Sequence, residues 1–303
     1  MPKKILVAAI CLGVFSIGSF PNHAAEKTKP KTMQDIIDAS TAADWRTPDA
    51  NNLLIMEFAS GRVVIELAPL FAPEHVANIR TLAKQGHWNG LAIIRSVDNF
   101  VVQWGDPIED PKNAKSLGNA KTKLPAEFAI KGLDKKSFHA VSDKDPWSKK
   151  AGFVAGFPAA SNGKQTWMAH CYGNVGAGRG NDDDSSTGAE LYVVIGQSPR
   201  WLDLNITSVG RVLQGMEYLS SLPRGNGPGG FYEKPEQYVP IKSIALASSL
   251  PEAERVKLEV FRTDTTTFDA LVESRRNRDD DFYHHSAGHI DLCNIPIPVR
   301  VKK

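Results

Sequence analysis

The chain has 303 residues, is 42% hydrophobic and 23% charged, and carries a formal net charge of +2. A chain of that length can bury a sizeable core, and its composition is that of a soluble globular protein. The near-neutral balance argues against nucleic acid as a partner. No 18-residue apolar run follows the N-terminus, so no later membrane-spanning helix is expected.

The first 25 residues stand apart. Lys3 and Lys4 precede an uncharged apolar run from Ile5 to Phe20, followed by the small pair Ala24-Ala25. A charged start, a short apolar middle and a small-residue end describe a secretory signal, with cleavage near Ala25. Residues 1–25 are therefore expected to direct export to the periplasm or beyond, meeting the membrane only transiently. Their removal leaves 34 basic and 34 acidic residues. Of three cysteines, Cys171 and Cys293 survive. An exported pair can form one disulfide in an oxidising compartment, although sequence does not say whether the two come close enough.

Residues 26–50 read as an N-terminal helical arm, with Ile36, Ile37 and Trp45 as its apolar face. Next, Leu53 to Phe58 and Val63 to Leu67 flank Ala59-Ser60-Gly61-Arg62, the pattern of a β-hairpin. In "APEHVANIRTLAKQG", Val76, Ile79, Leu82 and Ala83 recur at helical spacing, between Pro73 at the start and Gly86 at the end. "AIIRSVDNFVVQWGDP" reads mostly as β-strand, yet it contains Arg95 and Gln103, with Phe100 between them. Long polar side chains are costly to bury without partners. They point either at solvent or into a site that needs hydrogen-bond donors beside an apolar surface.

Ile108 to Gln165 reads as a long irregular segment in which only "LPAEFAI" and "AGFVAGF" are strand-like. "TWMAHC", a Gly- and Asp-rich stretch and the strand "AELYVVI" follow. A second short helix is expected from about Gln214 to Leu222, and "YVPIKSIALA" reads as a final strand. From about Ser249 an extension begins, strand-like in "RVKLEVFRTD" and helix-like in "TTTFDALVESRRNR". Pro296 and Pro298 restrict any strand in the tail to a sheet edge. His285 and His289 would share one face of a helix, but Gly288 and the polar setting favour a loop, and no metal site is assigned. Many short strands and few helices argue for a mainly β barrel or sandwich.

"GRVVIELAPLFAPEHVANIRTLAKQGHWNG" followed by "IIRSVDNFVVQWGDP" resembles the front half of a cyclophilin, a peptidyl-prolyl cis-trans isomerase. "WMAHC", "TGAELYVVI" and "RWLDLNITSVGRVLQGMEYL" resemble its back half in the same order. The resemblance covers roughly Asn51 to Ala247 and is stronger in the first half. It implies a mainly β fold: a closed, antiparallel, eight-stranded cyclophilin-like barrel with two flanking helices. On this reading the isomerase domain spans 51–248, with short α/β extensions at 26–50 and 249–303.

The resemblance also implies the site. Arg95 matches the catalytic arginine. Phe100 matches the floor of the proline pocket, Val101 a position often held by methionine, and Gln103 the polar neighbour. Ala169 matches the small residue under the peptide and Tyr192 an aromatic wall, usually phenylalanine. Trp201 and Leu202 match the aromatic and aliphatic rim. Several positions depart from the pattern: His170 stands for an asparagine whose backbone binds peptide, Glu190 for a glutamine, and Ile206 for a histidine. Trp104 replaces a glycine, and the loops Asp106 to Thr166 and Tyr172 to Thr187 are longer than in compact members, bordering the groove. The implied partners are proline-containing unfolded or loop segments of proteins, and Trp201 implies cyclosporin sensitivity. No cofactor is implied. The departures keep a second reading open, a proline-peptide binding module or chaperone with little turnover.

Overall fold

The computed structural model describes residues 30–108, 112–280 and 282–302, so the expected signal at 1–25 lies outside it. In chain order the elements are α1 (Met33–Asp38), β1 (Trp45–Arg46), β2 (Leu53–Glu57), β3 (Arg62–Leu67), α2 (Pro73–Lys84), β4 (Ala92–Ser96), β5 (Val101–Gly105) and β6 (Ile130–Lys131). Then come β7 (His139–Ala140), β8 (Lys150–Val154), β9 (Phe157–Ser161), β10 (Gln165–Met168), β11 (Asn174–Ala177), β12 (Leu191–Val194), β13 (Ser208–Gln214) and α3 (Met216–Ser220). The chain ends with β14 (Val239–Pro240), β15 (Ser243–Leu246), β16 (Leu258–Phe261), α4 (Thr266–Arg276) and β17 (Val299–Val301).

The main sheet has nine strands in the order β14-β4-β5-β12-β11-β13-β3-β2-β15, and every pairing is antiparallel. This corrects the expected closed eight-stranded barrel: the ladder is a curled but open sheet. Both edge strands, β14 and β15, come from "YVPIKSIAL". Between them, the Ile241 N–H donates to the Leu91 carbonyl and the Lys242 N–H to that of Glu57. The single expected final strand is thus split between the two edges of the sheet, and no ladder joins its halves.

The helix α2 buries Val76, Ile79 and Leu82 completely against the sheet, among Ile65, Val102 and Trp104. Trp104, the unexpected bulk in β5, is core filling rather than groove surface. Pro73 opens the helix as expected, but its cap comes from elsewhere. The Glu127 carboxylate accepts from the N–H groups of Glu74 and His75, both at 2.9 Å, satisfying donors that a helix start leaves free. In the hairpin β2–β3, Gly61 is required by close approach, since a Cβ there would lie 2.1 Å from the Tyr218 ring.

Two further sheets lie outside this frame. The segment expected to be largely irregular carries a five-stranded sheet, β6-β10-β9-β8-β7. Its strands β8 and β9 form a hairpin over Ala155-Gly156, both at positive φ (51° and 85°), the backbone a two-residue hairpin requires. These strands are short and rich in Ala and Gly, which weakens any β signal. Only the last residue of "LPAEFAI" enters a strand.

The third sheet, β1-β16-β17, joins the N-terminal arm to the C-terminal extension. Trp45 packs edge-on against Phe261 at 4.8 Å. The strand β17 pairs with β16 at the edge of this sheet, as expected for a strand in the tail. Cys171 and Cys293 are disulfide-bonded across 122 residues of sequence. Closing a loop of that size contributes roughly 4–5 kcal/mol in the chain-entropy account, and it ties the extension to the loop after β10. His289 lies in a loop and pairs with Asp143 and Asp291. Among the described residues, no helix is long and apolar enough to cross a membrane.

Candidate active site

The stretch that carries Arg95 and Gln103 is a hairpin. Strands β4 and β5 turn back through Asn99, which holds a positive φ of 52°. The register sets Arg95 directly opposite Gln103. The bulge between Ile93 and Arg95 makes this possible by shifting the alternation of the strand. The Arg95 guanidinium donates from Nη1 to Gln103 Oε1 at 3.1 Å and from Nε to the Gly229 carbonyl at 2.6 Å. Nη2 has no protein partner among the described residues.

Gln103 is buried, and its Nε2 donates to Glu190 Oε2 at 2.8 Å. This contact fixes which end of the amide faces Arg95, and a carboxylate suits it because it only accepts. Burial pulls the Arg95 pKa below its ordinary value, opposed by the charge of Glu190. The guanidinium nevertheless stays protonated at physiological pH. For Glu190, burial and the Asp106 charge raise the pKa, while Gln103 and Arg95 pull it down without reversing the sign.

Beside the guanidinium lies an apolar patch of Val101, Tyr192 and Val194, flanked by Val97, Phe100, Leu202 and Ile206. Trp201 stacks on Phe100 with centroids 6.2 Å apart and planes 17° from parallel, and remains 58% exposed. The structure therefore brings together Arg95, Phe100, Val101, Gln103, Glu190, Tyr192, Trp201, Leu202 and Ile206. It does not place Ala169 with them. That residue is buried in a separate cluster with Cys171 and Phe153.

His170, a departure from the expected pattern, and Tyr192, the expected aromatic wall, form one feature. His170 is fully buried, with Nδ1 3.0 Å from Asp203 Oδ1 and Nε2 3.0 Å from the Tyr192 hydroxyl. The His170 N–H also donates to Asp203, so it is not free for a peptide. Asp203 further accepts from Trp167 Nε1 and Arg200 Nε, and Arg200 makes a bidentate pair with Asp145. Burial alone would raise the Asp203 pKa, but His170 and Arg200 outweigh it and the net shift is downward. Burial pushes the Tyr192 phenol well above its ordinary value. The ring that walls the patch is thus held by a satisfied network reaching into the five-stranded sheet region.

Sequence reasoning missed Gly229, Phe231 and Asp145. The first two lie in "GNGPGGF", more than 130 residues from Arg95, and only the glycine density marked that stretch. Asp203 stood in view beside Trp201 and Leu202, but nothing local paired it with His170.

The family described as "Cyclophilin type peptidyl-prolyl cis-trans isomerase/CLD" matches the chain over residues 53–246. A probable peptidyl-prolyl cis-trans isomerase of Brucella suis biovar 1 (strain 1330) is 25% identical over 199 residues, 63% of this chain and 82% of that protein. A putative one of Staphylococcus saprophyticus is 25% identical over 211 residues, 64% of this chain and 90% of its own length. Among solved structures, the cyclophilin AquaCyp293 from Hirschia baltica superposes with a TM-score of 0.68 at 28% identity, covering 90% of this chain and 99% of its own. With the curled antiparallel sheet and its two packed helices, these matches place the chain in the cyclophilin family of peptidyl-prolyl cis-trans isomerases.

Proposed function

We propose that this isomerase acts on X-Pro bonds in unfolded or loop segments of exported proteins, and that Arg95 is its catalytic residue. The observation that carries the mechanism is the Arg95 guanidinium, held by Gln103 and Gly229 beside the Phe100 patch with Nη2 unengaged. Amide resonance gives the prolyl bond a barrier of about 18–20 kcal/mol. In the twisted state the nitrogen becomes pyramidal and gains a lone pair. A charged donor aimed at that lone pair bonds the twisted state more strongly than the flat one. Phe100, Val101, Tyr192, Leu202 and Ile206 grip the ring while the preceding carbonyl swings, with Trp201 at the rim. The chemistry asks for no nucleophile, metal or cofactor. Export to the periplasm rests on Lys3, Lys4, the apolar run and Ala25, and the Cys171–Cys293 disulfide suits an oxidising compartment.

The test is isomerisation kinetics on a short proline peptide, by protease coupling or NMR exchange. Arg95→Ala is expected to lower kcat/KM by about 10²–10³-fold, the scale of removing one transition-state donor, with circular dichroism unchanged. Equal rates in both proteins would remove Arg95 from the mechanism. The second reading, a binding module, is favoured by Ile206 and Glu190 at the groove. Wild-type rates at the uncatalysed level, with peptide still bound, would select it.

A further inference from the structure

Arg95 touches two aromatic rings. Its Cζ lies 5.9 Å from the Phe100 centroid and 5.1 Å from that of Phe231. With Trp201 stacked on Phe100, the groups are linked by successive contacts: Phe231 to the guanidinium, the guanidinium to Phe100, and Phe100 to Trp201. Phe231 is delivered by the loop from Pro223 to Tyr232, and that loop is stapled to β4. The Gly225 N–H donates to the Ser96 carbonyl at 2.8 Å and the Tyr232 N–H to that of Ile94 at 3.0 Å. Tyr232 is buried, and its hydroxyl donates to the Pro223 carbonyl.

The loop's glycines are also closely packed. A Cβ on Gly225 would lie 2.0 Å from the Gly230 carbonyl oxygen, and one on Gly230 (φ +80°) would lie 2.6 Å from Val97. Phe231 is therefore presented on a fixed backbone, yet the residue stays 39% exposed. Arg95 already has hydrogen bonds from two sides, and its charge is oriented without a second ring. A rigidly mounted, half-open aromatic beside a catalytic cation has the properties of a contact surface: apolar area whose ordering has already been paid for.

We infer that Phe231 lines a second apolar subsite, beside Arg95 and next to the proline patch, that takes a large apolar or aromatic side chain flanking the substrate proline. This deepens the proposed function and rests on Phe100 holding the ring. Both rings lie within 6 Å of one guanidinium. An extended peptide advances about 3.3–3.6 Å per residue, so a residue within three positions of the proline can reach Phe231 while the ring occupies Phe100. Selectivity for a flanking aromatic would then be set by this loop and not by the proline pocket.

The experiment scans one phenylalanine through an alanine-based proline peptide, from three residues before the proline to three after. In the full-length enzyme, one position is expected to raise kcat/KM about tenfold over the phenylalanine-free peptide, the scale of burying one aromatic face. In Phe231→Ala that ratio should fall to within twofold of one, with the loss in KM. Phe231→Leu should restore most of it. The favoured position tells which flank the subsite takes. A uniform fall across all peptides would make Phe231 a brace for Arg95 and overturn the subsite, as would a flat scan in the wild type. If no peptide is turned over, the mechanism fails first. The same scan read as binding affinity, wild type against Phe231→Ala, then decides the subsite independently, and a flat result there overturns it.

Discussion

The two halves of the site are built on opposite terms. Around Arg95 the site stays partly open: among the described residues Nη2 of Arg95 has no protein partner, and Phe231 and Trp201 are exposed. Around Tyr192 everything is sealed, and His170, Arg200 and Asp203 are all at most 9% exposed and mutually hydrogen-bonded. The first half must exchange partners with a substrate, so its donors are left partly unused. The second must hold a wall still, and its polar groups are spent on each other. A buried network of this kind is costly to break because each lost partner strands another charge.

The sharpest way to break the contrast is through Asp203, which serves His170, Trp167 and Arg200 at once. Asp203→Ala is expected to cost about 3–5 kcal/mol of stability, the penalty for uncompensating a buried ion pair, measured by denaturant unfolding. A loss below 1 kcal/mol would show the network to be decoration.

Tyr192→Phe is the milder cut. It keeps the ring but strands His170 Nε2, so a loss of about 1–3 kcal/mol is expected, while kcat/KM changes less than threefold. A large kinetic effect with unchanged stability would move the hydroxyl from the sealed half to the working half.

The smallest effect concerns pH. Glu190 has a raised pKa, so it protonates earlier in an acid titration than an ordinary glutamate at about 4.3. Losing its charge weakens the hold on Gln103, and through it on Arg95. Activity should therefore decline as pH falls, with a midpoint above 4.3, and Glu190→Gln should remove that limb. Asp203 has a lowered pKa. Its stability contribution is fully present above its unfolded value, about 3.9, and is lost only as pH falls through the lower folded value. The working half should thus fade before the sealed half unfolds. Coincident midpoints for activity and unfolding would erase the distinction.

Legibility followed the range of the interactions. The hairpin β2–β3 and the helix α2 were readable because hydrophobic period, Pro73 and Gly86 are local signals. The edge position of the tail strand β17 matched the expectation drawn from the neighbouring Pro296 and Pro298. The five-stranded sheet was readable only at "AGFVAGF", where β8 and the start of β9 fall, since its other short strands exist only through their neighbours. The split of "YVPIKSIAL" across two edges depended on where Leu91 and Glu57 lie in space.

By itself the sequence determined that an arginine, a phenylalanine and a glutamine share one strand-like stretch, and its resemblance to the family implied their roles. Only the tertiary structure decided what they do to each other. A turn at Asn99 and a bulge in β4 convert a separation of eight residues into a directly opposed pair. Chain segments far away supply the rest: Gly229 as the second acceptor, Glu190 to orient the amide, and His170 to join Asp203 to Tyr192. Hydrogen bonds and ion pairs act over a few ångströms, and which groups come that close is settled by how the chain packs, not by the order in which they are written.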